Sequence, residues 1–299
     1  MTDVFNDLGS SVIKNKDLIN FFENNEVVQL AFKAGGWIAG GFPREIFKIE
    51  DPLGTLADDK LDFDKFKETY FSHGGDIDFF FKDEQSVIAL REQQPINLSV
   101  YGGERNFALT AINYEAYAKN NRELYLSVIV QLVNKFFYDS VEETFRGFDF
   151  YNSCYAIEKV EGRYILTYLK KAAQIDQLGI LKINHVNSPY TIQRIGKYMS
   201  QKGLHKIEDD CIQKVTDLVY KLGCESFDSK YKYEQFKRQI FVHLKFAFEK
   251  LPLDPGHALI FLGKFKVVDR DSPEPDDSYG PVITVDWATK VVQNCVSTS

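Results

Sequence analysis

The chain has 299 residues, 44% of them hydrophobic and 26% charged, which is the composition of an ordinary soluble globular protein of one large or two ordinary domains. Its 43 acidic residues outnumber 36 basic ones, and the net charge of -7 excludes a surface built as a whole for nucleic acid, leaving room only for a local basic face. No apolar run approaches the roughly 20 residues of a membrane helix, and the opening MTDVFNDLGS has no basic and apolar leader, so a cytoplasmic location without a membrane partner is expected.

Cys154, Cys211, Cys224 and Cys295 are widely spaced and form no CxxC pair. That pattern fits reduced structural thiols better than a zinc ribbon or a disulfide framework. The five histidines form neither HxxxH nor HExxH, which gives a zinc hydrolase little support.

In chain order, a polar N-terminal helix is expected first. GGWIAGGFPR, residues 35 to 44, then reads as a short buried strand, a glycine turn and a helix, PREIFKI, with Pro43 at its first position, where a missing amide proton costs nothing. A glycine pair at such a junction lets a phosphate or carboxylate approach the backbone. Residues 49 to 74 form an acidic excursion with a short helix inside it, and DIDFFF, 76 to 81, is a compact strand followed by a helix near EQSVIALREQ. INLSVYGG, NFALTAINY and LYLSVIVQLV are strand candidates rich in β-branched and aromatic residues. DSVEETFRG is a short polar helix, FDFYNSCYAIEKV a further strand, and EGRY turns back into YILTYLKK.

From about residue 168 the apolar spacing becomes helical in SPYTIQRIGKYMSQKGL, IEDDCIQKVTDLVYKLG and YKYEQFKRQIFVHLKFAFEKL. Residues 269 to 281 read as a solvated loop, and VITVDWATKVVQ fits a last strand or a last helix. The expected fold class is α+β: a mixed-sheet head over residues 1–166 and a mainly α-helical domain over 167–299.

The chemistry lies in the carboxylates. Asp76 and Asp78 are two residues apart on a strand, so both point to one face while Ile77 points to the other. Two carboxylates on one face repel unless a cation lies between them, and oxygen-only ligation favours Mg2+ or Mn2+ over zinc. Asp149, between Phe148 and Phe150, is costly near a core unless it has a partner, and a metal held by a neighbouring strand would be one. Asp76, Asp78 and Asp149 together would supply the set that a two-metal site needs.

GGFPRE followed by DID resembles the head of nucleotidyltransferases of the DNA polymerase beta type, in particular tRNA CCA-adding enzymes and bacterial poly(A) polymerases. VIVQLV, FDFYNSCYAI and SPYTIQRIGKYMSQKGL are also similar to phage-encoded nucleotidyltransferases, so that the resemblance spans about residues 35 to 205. It implies Gly40 and Gly41 at the triphosphate, Arg44 in the arginine position, and Asp76, Asp78 and Asp149 as catalytic metal ligands. It also implies an enzyme that moves a nucleoside monophosphate from an NTP such as ATP to a hydroxyl and releases pyrophosphate. An RNA or tRNA 3′ end is the favoured acceptor, with a protein side chain or a small molecule as the others, and a phage-encoded chain would work in the host cytoplasm. The alternative is a catalytically inactive nucleotidyltransferase fold used as a nucleotide sensor or interaction module. Glu45 departs from the aspartate of the GGxxRD pattern, Pro43 from a small apolar residue, and no EDxxR segment follows, which removes support for CCA addition in particular.

Arg194, Lys197 and Tyr198 fall within about one helical turn, where two cations would hold the β- and γ-phosphates and the ring would stack on a base. Ile192, Ile195 and Met199 give the same helix a core face, so a plain amphipathic helix reads equally well. YKYEQFKRQIFVHLKFAFEK interleaves cations with aromatics and could receive a nucleic-acid acceptor, or simply pack its phenylalanines into a core.

Overall fold

The computed structural model describes residues 4–54, 62–92, 98–100, 108–119, 122–184, 194, 198, 204, 206–207, 266–268 and 282–284. The chain divides into two compact units, Met1–Ala173 and Gln174–Ser299. Residue 166, where the head was expected to end, lies inside a strand of the first unit.

The first unit is built on one eight-stranded mixed sheet. Its strands are β1 (Leu8–Val12), β2 (Trp37–Ala39), β3 (Asp76–Phe81), β4 (Leu98–Val100), β5 (Ala108–Lys119), β6 (Arg122–Phe137), β7 (Tyr155–Val160) and β8 (Arg163–Leu169), in the spatial order β1-β8-β7-β2-β3-β6-β5-β4. Helices α1 (Lys16–Asn24), α2 (Glu26–Lys33), α3 (Gly41–Glu50), α4 (Phe63–Ser72), α5 (Glu84–Glu92) and α6 (Val141–Gly147) connect them, and α7 (Lys170–Gln177) runs across the division between the units. Only β3 and β6 pair in parallel; the other ladders of this sheet are antiparallel.

The polar N-terminal helix expected from sequence is preceded by a strand: Leu8–Val12 pairs along β8, and helix begins only at Lys16 under the Asn15 cap. The WIA strand, the DIDFFF strand and the helices at 63–72, 84–92 and 141–147 form as expected. EGRY closes a hairpin between β7 and β8, with positive φ at Glu161 and Gly162.

Phenylalanines fill the helix side of the sheet. Phe22 of α1, Phe32 of α2, Phe79 of β3 and Tyr164 of β8 meet edge to face or tilted, with Phe32 5.0 Å from Phe79 and Phe22 4.9 Å from Tyr164. Each such ring contributes about 1.5–3 kcal/mol by leaving water, so this cluster fixes the helical layer against β3. Phe42 of α3 extends it, packing on Phe21, Phe22, Phe66, Tyr70 and Phe71 and so tying α3 to α1 and α4.

In the second unit, β9 (Ile180–Leu181) pairs in parallel with β10 (Lys206–Ile207), and β11 (Lys266–Val268) with β12 (Val282–Thr284). Val282–Thr284 settles the start of VITVDWATKVVQ as strand. The three long helices expected after residue 168 and the loop 269–281 fall almost wholly outside the described residues, apart from Arg194 and Tyr198, which are helical, Leu204, which is not, and Ile207, which lies on β10. No helix among the described residues is long and apolar enough to cross a membrane.

Candidate functional site at the glycine turn and the paired carboxylates

β2 is wholly buried between β3 and β7, with Ile38 opposite both Phe79 and Ile157. It ends at Gly40, whose amide donates to the Tyr155 carbonyl at 3.0 Å and whose backbone turns at φ 99°, ψ -129°. Only glycine adopts that conformation without strain, and it aims the chain directly into α3. The helix therefore starts at Gly41, two residues before the expected Pro43, and Pro43 sits deeper in the same first turn, where its amide would have had no partner.

The N-terminus of α3 differs from the others around it. Asn15, Asn25, Asp62 and Ser140 cap α1, α2, α4 and α6 through their side chains, and each of those helices has an acid in its first turn. α3 has Gly40 in the cap position, no side-chain cap and no first-turn acid. Its positive end thus has neither a capping side chain nor a first-turn acid, an arrangement that suits an anion.

Asp76 and Asp78 occupy alternate positions on β3, half-buried, each followed by a buried residue, Ile77 and Phe79. The strand holds them on the side away from the phenylalanine layer, the side that also carries Phe80. Phe80 lies opposite Trp37, whose indole N–H donates to Thr144 Oγ1 at 3.1 Å, and Phe80 packs on Phe148 with ring centroids 5.6 Å apart. α6 and the segment after it therefore cover part of the aspartate side of the sheet.

Two residues that sequence reasoning passed over lock Asp76 in place. Gln131 of β6, which stands opposite Asp78 in the parallel ladder, donates from Nε2 to Asp76 Oδ2 at 2.9 Å. Tyr70 of α4 donates its hydroxyl to the Asp76 main-chain carbonyl at 3.0 Å. The Tyr70 ring lies so close over Gly75 that a Cβ there would come within 2.3 Å of it, which explains the second glycine before DID. A Cβ on Gly41 would lie 3.6 Å from the same hydroxyl, so Tyr70 stands between the open helix end and the carboxylate strand. Burial first, then the negative charges of Asp76, Asp78 and Glu45, push the Tyr70 phenol well above its ordinary pKa. The sequence signals were slight: a lone polar residue in SVIVQLV, and a tyrosine in an aromatic helix ending at a glycine pair.

Arg44 is not on the surface. It is 1% exposed, the largest of the fully buried side chains, and its Nη1 donates to Glu45 Oε1 at 3.1 Å. Glu45 also receives Lys48 at 2.8 Å, so the residue that departs from the GGxxRD pattern serves as a shared anion for both cations.

Asp149 does not lie on a strand. It falls in a bend between α6 and the 3-10 turn Tyr151–Ser153, and β7 starts only at Tyr155. α6 ends at Gly147, and Cys154 is drawn under the turn with its Sγ on the Phe145 and Phe150 carbonyls. Asp149 is 9% exposed and follows Phe148, which reaches the aspartate side of the sheet through Phe80. Among the described residues, no group of three or more His, Cys, Asp and Glu is placed to hold a metal ion. Asp76 and Asp78 are a pair of carboxylates on one strand, one short of such a group.

In the second unit, Arg194 is exposed whereas Tyr198 is only 8% exposed, so these two do not present one common face to solvent. Lys197 lies outside the described residues.

A mixed, mainly antiparallel sheet that sets a glycine-started helix beside a strand-borne carboxylate pair defines the class of the first unit: an α+β fold with a glycine turn next to two acids. The model of the Gabija anti-defense 2 family, Gad2, matches residues 12–171, more than half of the chain, and the chain belongs to that family. The matched segment runs from the end of β1 into α7 and so contains the whole glycine turn and carboxylate site. No match was found among curated proteins.

Proposed function

We propose that the first unit is a nucleotidyltransferase head which moves a nucleoside monophosphate from an NTP to a hydroxyl, and that this transfer is the means by which the chain counters the Gabija defence named in its family description. The observation that carries the reading is Tyr70, whose hydroxyl meets the Asp76 carbonyl and lies beside Gly41, so that a helix end without a side-chain cap and a carboxylate pair share one place. The GGFPRE and DID resemblance supplies the same pairing of functions.

In this reading the Gly41 and Phe42 amides bind phosphate oxygens of the NTP, aided by the positive end of α3. Asp76 and Asp78 hold a magnesium or manganese ion, which when bound supplies charge neutralisation of the triphosphate. Gln131 and Tyr70 keep Asp76 fixed, and the buried Arg44 pairs with Glu45 within the first turns of α3. The acceptor hydroxyl attacks the α-phosphorus in line, the bond to the bridging oxygen breaks, and pyrophosphate leaves while the hydroxyl proton passes to a base or solvent. Asp149 stands as the third carboxylate that the resemblance implies.

An RNA 3′ end remains the first acceptor to consider, followed by a protein side chain of the defence and a small molecule. The acceptor would be met in the cell that carries the defence. A second reading, an inactive fold that binds nucleotide or a defence protein without chemistry, is favoured by one observation: the three aspartates are not gathered into a metal-holding group.

Infection of Gabija-carrying cells in the presence of wild-type protein or an Asp78→Asn variant expressed to the same level separates the two. Loss of counter-defence in the variant supports transfer, and full counter-defence by the variant supports the binding module.

A further inference from the structure

We infer that Gln131 is the positioning residue of the carboxylate pair: by holding one oxygen of Asp76 it fixes the orientation of that carboxylate for the cation of the proposed transfer. This inference rests on the nucleotidyltransferase reading. Three observations carry it. Gln131 Nε2 donates to Asp76 Oδ2 at 2.9 Å across the only parallel ladder of the main sheet. In that ladder Gln131 is opposite Asp78, so it stands in one row with one aspartate and bonds diagonally to the other. On its outer side the row continues to the buried Thr110 of β5.

The rest of β6 shows what the position would otherwise be. Val128, Val130 and Leu132 are buried on the phenylalanine side, and Val133 is buried as well. A half-buried glutamine among them is costly unless its amide has an acceptor, and Asp76 is that acceptor. The bond also has a consequence for charge. An amide donor stabilises the carboxylate without neutralising it, whereas a lysine here would cancel the charge and a third acid would add to the repulsion. Outer partners of this kind fix the orientation of a ligating carboxylate, and their loss costs about 10- to 100-fold in metal affinity.

Two near-isosteric substitutions test the role, with Mn2+ affinity read from the electron paramagnetic resonance of free Mn2+ in the presence of a non-hydrolysable NTP. Gln131→Leu removes the donor and is expected to weaken Mn2+ binding by about tenfold or more. Gln131→Glu replaces the donor with a further carboxylate beside the pair and is expected to tighten Mn2+ binding. A residue that merely filled the sheet would lower the melting temperature in both variants and leave both affinities near that of wild type. Wild-type Mn2+ affinity in the leucine variant overturns the assignment. Wild-type protein that binds no Mn2+ and transfers no nucleotide overturns the transfer reading and this inference together, whereas wild-type binding with an unaffected leucine variant overturns this inference alone.

Discussion

The Tyr70 hydroxyl donates to the main-chain carbonyl of Asp76 at 3.0 Å while the Tyr70 ring packs over Gly75, so one side chain sets both the height and the direction of the strand that carries the carboxylate pair. Because burial and three nearby carboxylates hold the phenol protonated well beyond neutral pH, it remains a donor throughout the physiological range. Tyr70→Phe keeps the ring and removes the donor. We expect a loss of about 1 kcal/mol in stability from the missing hydrogen bond. Nucleotide transfer should fall further, by about 10- to 100-fold, because a small shift of a positioned group is magnified in rate. Urea denaturation and label transfer on the same preparation check the two, and a variant with wild-type transfer contradicts the positioning role.

The two glycines of the turn separate by backbone. Gly40 at φ 99° has open space where a Cβ would be, so Gly40→Ala fails through strain, by about 1–3 kcal/mol. Gly41 has an ordinary helical backbone, and its Cβ would make a normal 3.6 Å contact with Tyr70, so Gly41→Ala should fold as well as wild type. It nevertheless places a methyl group at the helix end where the phosphates are expected, and the KM for NTP should rise. Equal melting temperatures for the two variants would remove the first argument, and an unchanged KM in Gly41→Ala the second.

Arg44 is buried beside Glu45, and removing the guanidinium leaves an anion at the base of α3 with one partner fewer. Arg44→Leu is expected to cost about 3–5 kcal/mol, as the breaking of buried ion pairs does. Chemical denaturation measures this directly. A cost below about 1 kcal/mol would place Arg44 among ordinary surface pairs, against its burial.

How far the sequence carried depends on how local each signal was. The strand, glycine turn and helix at GGWIAGGFPR, and the DIDFFF strand, are each specified by adjacent residues, and they formed in the expected order, with the helix beginning two residues early at Gly41. Asp149 was misplaced because FDFYNSCYAI has the composition of a strand, while the turn at Tyr151–Ser153 depends on Cys154 reaching the Phe145 and Phe150 carbonyls, a tertiary matter. Gln131 lies 55 residues from the aspartate it bonds, and Tyr70 acts through Gly75 and Asp76, so neither role has a sequence period. The edge strand Leu8–Val12 was missed for the same reason: LGSSV has no strong alternation, and its pairing partner is β8, far along the chain.

Glu158 of β7 gives a prediction in pH. Burial raises its carboxyl pKa in the folded chain, so the fold holds a proton there that the unfolded chain releases near its ordinary value of about 4.3. The unfolded state therefore binds fewer protons over the interval between the two values, and stability falls as pH rises through it. Glu158→Gln removes the penalty. The variant should melt above wild type at pH 7 and together with it below about pH 4, where both states are protonated. A melting difference of the same size at both pH values would show that the effect is packing and not charge.

Label transfer tests the carboxylate pair most directly. Purified protein is incubated with magnesium and each α-labelled nucleoside triphosphate in turn, with RNA, with protein from Gabija-carrying cells and with small-molecule extract as acceptors, beside an Asp78→Asn variant that keeps the side-chain size and loses the charge. Label passing to one acceptor with wild type, and falling to background with the variant, is the predicted result and names the acceptor class. Transfer that survives unchanged in the variant, or nucleotide binding by wild type with no label passed to any acceptor, would contradict the assignment of Asp76 and Asp78 to this chemistry.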